Sequence, residues 1–142
     1  MAHGSQDATD PAAPQGLYAA LLASAGGSVD GAHAGALDDA PPIEGLSPAR
    51  AVALRAAWTG ARLHAGAPGL IVADDGDVGL LVGDWCFAHA LGVVARSGDL
   101  QAIALLSEAI DRGSARPCGV PAQAADLAEI WGEAGRRMSC ST

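Results

Sequence analysis

Residues 78–95 read VGLLVGDWCFAHALGVVA, and this stretch decides the fold class. Leu80, Leu81, Val82, Trp85, Cys86, Phe87, Leu91, Val93 and Val94 leave no polar face at helical spacing. The run is too long for an ordinary strand, and a helix that is apolar all round is expected to be central, enclosed by other helices. At about 1.5 Å per residue it spans about 27 Å. Ser97-Gly98-Asp99 breaks it. Asp99 is placed to cap a second helix with Leu100, Ile103, Leu106 and Ile110 along one side, which Gly113 ends. On the upstream side, Asp74-Asp75-Gly76-Asp77 predicts a turn and an acidic helix start.

Further out the pattern stays helical. Ser47 is a good N-cap and Pro48 fits the first turn, where its missing N–H costs nothing. Leu54, Trp58 and Ala61 share one face of that helix, and Gly66-Ala67-Pro68-Gly69 ends it. Leu70-Ile71-Val72 fits either an extended or a helical segment. Nearer the start, Leu17, Tyr18, Leu21, Leu22 and Ala25 recur at helical spacing until Gly26-Gly27. Residues 28–46 are poorly patterned, and Asp38-Asp39-Ala40-Pro41-Pro42 predicts a loop. Pro121 is expected to open a last helix through Ala124, Leu127, Trp131, Ala134 and Met138, with Arg136 and Arg137 in its final turn. No strand alternation, hairpin turn or internal repeat is present. The expectation is an all-α fold of about five helices around a central apolar helix. Residues 1–15 are expected to be a disordered tail and residues 16–138 a single helical domain.

Composition narrows the function. The chain has 142 residues with a net charge of −8, and all eight cations are arginine. Without a basic cluster, nucleic acid is a poor partner, because phosphate neutralisation needs gathered positive charge. Without lysine, Schiff-base chemistry and Walker-type phosphate loops are excluded. No run of 18 apolar residues predicts a transmembrane segment, and Met1 to Gln15 lacks the pattern of a secretory signal. Cys86, Cys118 and Cys140 are odd in number and widely spaced, which suits reduced thiols and a cytoplasmic location. Of the 71 apolar residues 33 are alanine, so the core is thin and a partner surface would complete it.

Few residues suggest chemistry. His3, His33, His64 and His89 show no metal-ligand spacing, and Cys86 beside His89 fits packing better than a metal site. The Asp74–Asp77 run lacks the alternating ligands and closing Glu of a calcium loop. Asp84 stands out, because a carboxylate inside an apolar helix is expected to be a buried polar group with a partner or a cavity.

Leu80-Leu81-Val82-Gly83-Asp84-Trp85-Cys86-Phe87-Ala88-His89-Ala90-Leu91, then Ser97-Gly98-Asp99, then Ala104-Leu105-Leu106-Ser107-Glu108-Ala109-Ile110, resembles the trans-type polyprenyl (isoprenyl) diphosphate synthases. Their central helix opens on a similar Val-Gly-Asp segment. Upstream, Gly60-Ala61-Arg62-Leu63-His64-Ala65-Gly66-Ala67-Pro68 resembles the family region ending in Arg-Arg-Gly-x-Pro. The likeness spans about residues 47–115 and implies a partial isoprenoid-synthase-like bundle.

The departures lie at the metal site. Family enzymes hold magnesium through an Asp-Asp-x-x-Asp motif, whose positions correspond here to Arg55, Ala56 and Thr59. The two arginines before the glycine correspond to His64 and Ala65. A second aspartate motif is not found, and the substrate-binding Gly-Lys-Arg cannot occur without lysine. Ionising an allylic diphosphate needs Mg²⁺ to neutralise the leaving group, so no catalytic, cofactor-binding or metal residues are expected on this chain.

The resemblance therefore implies a small non-catalytic subunit in isoprenoid biosynthesis. It would form a heterodimer with a catalytic prenyl diphosphate synthase subunit that carries the magnesium, and would influence product chain length. Self-association is the other partnership considered. A stand-alone protein of this fold that binds an apolar or prenyl ligand is the alternative, with Trp85, Phe87 and Leu91 lining an enclosed apolar cavity or channel. A helical interaction module without enzymatic role is a third reading.

Overall fold

A computed structural model describes residues 14–35, 41–67, 69–114 and 124–140. Most of the expected tail, Asp38 to Ala40, Pro68, Cys118 and Pro121 lie outside the described residues. Five helices occur among those described: α1 (Pro14–Ser24), α2 (Pro48–His64), α3 (Gly76–Arg96), α4 (Leu100–Ser114) and α5 (Ala124–Cys140). The all-α expectation holds.

The helix ends follow local chemistry. Ser47 caps α2 through its side chain, which accepts from the Arg50 N–H, and Pro48 opens the first turn. Asp75 caps α3 by accepting from the Val78 N–H. Asp99 caps α4 by accepting from the Ala102 N–H at 3.0 Å. Beyond α2 the chain turns at Gly66, whose φ of +69° suits a residue without Cβ.

The core is assembled on α2, not on α3. Thirteen of the seventeen α2 residues are buried, and α3, α4 and α5 all pack against it. Leu54, Trp131, Leu106, Leu127 and Met138 join α2, α4 and α5 in one core, to which the buried Trp58 also belongs. Leu17 and Leu21 of α1 close the core from another side. A single side chain ties three helix ends together. Arg50, at the start of α2, donates to both Asp99 carboxylate oxygens at 2.6 and 2.9 Å and to the Met138 carbonyl at 2.6 Å. The Asp99 contact is a forked, charge-assisted pair and therefore among the stronger hydrogen bonds a protein makes.

One element was not expected. β1 (Ala32–Ala34) pairs antiparallel with β2 (Ile71–Ala73), with His33 opposite Val72. Tyr18 of α1 donates to the Ala32 carbonyl at 2.9 Å and fixes this small sheet to the helices. The run Leu70-Ile71-Val72 thus resolves as extended, with Leu70 and Ile71 in the core.

Candidate functional site

α2 and α3 approach closely because two glycines meet. A Cβ on Gly60 would lie 2.8 Å from the Gly83 carbonyl oxygen and 3.0 Å from the Phe87 ring. The buried side of α3 is a row of small residues, Gly79, Gly83, Cys86 and Ala90, with Val82 and Val94 beside them. That row turns the rest of the helix outward.

Several expectations are corrected by this orientation. α3 is not enclosed: only six of its twenty-one residues are buried. Leu81 is 72% exposed and Leu80 48% exposed, while Ala88 and Ala95 are also on the outside. Asp84 is not a buried polar group. It follows Gly83, about 100° further round the helix, with 69% of its side chain exposed. Its partner is His64 of α2, whose Nε2 lies 2.9 Å from Asp84 Oδ1 and 3.2 Å from the Leu80 carbonyl oxygen. The water-exposed carboxylate avoids the desolvation cost that a buried one would meet.

Among the described residues, Trp85, Phe87 and Leu91 meet different surroundings. Trp85 stacks on His89 at a centroid distance of 4.7 Å and stays half-buried. Burial pushes the His89 imidazole down, and Arg96 adds to this, which favours the neutral form. Phe87 turns the other way, with its ring edge against His64 at 5.0 Å. Leu91 is partly buried against the core.

Phe87 does face a half-open cleft of about 210 Å³. The cleft lies between α2 (Ala61, His64), α3 (Leu80, Phe87), the end of α4 (Ile110, Gly113, Ser114) and α5 (Trp131). Trp131 is fully buried and its indole N–H has no hydrogen-bond partner. Spacing alone placed Trp131 on a core face, and only the meeting of four helices makes it a cleft wall. His64 had a signal of a kind, since it stands where the resembling family carries an arginine.

The positions that would hold magnesium do not fit a metal. Arg55 brings a cation, Ala56 is fully buried, and the buried Thr59 hydroxyl donates to the Arg55 carbonyl at 2.7 Å. Among the described residues no three His, Cys, Asp or Glu side chains gather as a metal site. Cys86 is buried, and desolvation pushes its thiol up to about 12, which keeps it protonated and unreactive. α3 is also long and apolar enough, by length and composition, to cross a membrane, a test that core helices of soluble proteins pass as well.

Compared with models of protein families, with curated proteins and with solved structures, the chain matches none. The prenyl synthase resemblance rests on the residues quoted above alone.

Proposed function

We propose that this chain is a non-catalytic helical subunit that lays α3 against a larger catalytic prenyl diphosphate synthase subunit. The partner would carry the magnesium, and contact with α3 would influence product chain length. One observation carries this reading. The longest helix presents Leu80, Leu81, Ala88 and Ala95 to solvent beside the exposed Asp77 and Asp84, and small residues such as Ala88 and Ala95 let another helix come near. Unpaired apolar surface of this kind marks an interaction site in a water-soluble domain.

Size adds a condition. A helix of 21 residues offers on the order of 300 Å² along one face, whereas a stable interface takes about 800 Å² per partner. The contact would therefore extend beyond α3, and Leu100, 78% exposed at the start of α4, is the nearest further apolar residue along the chain.

The test is co-purification of the chain with each prenyl diphosphate synthase of its source, followed by product-length analysis with and without it. A stable complex and a shifted product length are expected, and both should be lost with Leu81→Arg combined with Ala88→Arg. A chain that stays monomeric with every synthase and changes neither rate nor product length would overturn the proposal.

A further inference from the structure

The outer side of α3 has a regular spacing. Leu81, Ala88 and Ala95 follow one another at heptad intervals and all three are exposed, with the half-buried Trp85 and Gly92 between them. Alternating steps of four and three residues set these five along one line of the helix, the spacing of a seam between two helices. The line lies away from the buried Gly83 and Ala90. Charge along the helix is uneven. Asp77 and Asp84 are exposed in its first half, and Arg96 is exposed at its last residue. The Arg96 guanidinium folds back over Gly92, where an added Cβ would lie 3.3 Å from one of its nitrogens. No carboxylate among the described residues pairs with it.

We propose that α3 pairs antiparallel with α3 of a second copy of this chain, about a two-fold axis at Ala88. The spacing sets the register. Turning the helix end for end about Ala88 brings Leu81 of one copy against Ala95 of the second, a large side chain against a small one, at both ends of the seam. Ala88 meets Ala88, so the two backbones come near at the axis. Gly92 comes level with Asp84 of the second copy, and the guanidinium lying over Gly92 gains a carboxylate. A parallel pair would instead set Asp77 beside Asp77 and Asp84 beside Asp84, and like charges facing each other are disfavoured. The area limits the strength. A face on the order of 300 Å² per copy is well under the roughly 800 Å² of a stable interface, so this dimer is weak and exchanges readily. It uses the face that the proposed function gives to a synthase, without resting on that reading, and the two partners exclude each other.

The test is analytical sedimentation of the full chain alone, across concentrations up to the millimolar range. A reversible equilibrium between monomer and dimer is expected. Ala88→Arg should abolish the dimer, because it sets two cations on the axis. Asp84→Arg and Arg96→Asp should each weaken it about tenfold, since two-fold symmetry breaks two contacts at once. The double variant exchanges the charges and should recover the wild-type constant within about twofold. All three positions are exposed in the single chain, and the wild-type result decides even where a variant fails to fold. A chain that is monomeric throughout overturns the proposal. So does a dimer that survives Ala88→Arg, or a double variant no tighter than the single ones. No synthase is present, so failure here is distinct from failure of the synthase complex.

Discussion

Helix α2 carries Arg50, Arg55, Thr59 and Arg62, yet it buries thirteen of seventeen residues. Helix α3 beside it has Asp77, Asp84, His89 and Arg96 among otherwise apolar residues, yet it buries six of twenty-one. Burial here follows position and side-chain size more than hydropathy. α2 has neighbours on several sides, and Arg50 reaches two of them, Asp99 and Met138, while the Arg62 guanidinium lies 5.0 Å from the centre of the Trp58 ring on the same helix. α3 touches α2 through glycines, so one narrow seam holds it and the wider apolar side is left over.

The largest expected effect tests the anchoring of α2. Asp99→Ala removes both the cap of α4 and the forked partner of Arg50, and should destabilise the fold by about 2–4 kcal/mol in urea unfolding. The same pair predicts a pH dependence. Hydrogen bonding to Arg50 holds the Asp99 carboxyl below its ordinary value, with burial opposing and the Ala102 N–H assisting. Its contribution is therefore complete above the unfolded value of about 3.9 and is lost as pH falls through the lower folded value. The urea midpoints of wild type and Asp99→Asn should converge over that acid range, and a constant gap would show that the pair is not what titrates.

Next comes the seam. Gly60→Ala forces a Cβ toward the Gly83 carbonyl and Phe87, and is expected to cost about 1–3 kcal/mol as α2 and α3 are pushed apart. A variant of unchanged stability would mean that the two helices separate freely. Asp84→Asn should cost less than about 1 kcal/mol, as befits an exposed side-chain contact. The smallest effect is expected for Leu81→Ser on the outer side of α3, within about 0.5 kcal/mol for the isolated chain. A large loss there would place Leu81 in the core and erase the contrast between the two helices.

The helix starts were legible because caps are local. Ser47 with Pro48, Asp75 and Asp99 each announce a boundary within four residues of sequence. The sheet was not legible, since each strand has three residues and their pairing joins positions far apart in sequence, Ala32 with Ala73 being the outermost pair. The orientation of α3 was misread for a different reason. A helix apolar all round gives no polar stripe to set against a core, so full burial was the simple expectation. A second pattern was present all the same. Gly79, Gly83, Cys86 and Ala90 recur at helical spacing, and such a row of small side chains marks the line where another backbone comes near. Asp84 lies off that row. The cleft was hidden because His64, Phe87, Ile110 and Trp131 come from four helices and no sequence spacing relates them.

Arg50 also sets an order of events during synthesis. Its bond to the Met138 carbonyl joins residues 88 apart, and its bonds to Asp99 join residues 49 apart. At roughly 5–20 residues per second, Met138 leaves the ribosome roughly 4–18 s after Arg50 does. The start of α2 and the end of α5 can be fastened only after Met138 has left the ribosome. Until then α2 and α3 can meet through Gly60 and Gly83, but their α5-facing surface is open, so the nascent chain passes through an interval in which Trp58 and Leu54 are exposed to other proteins in the cell.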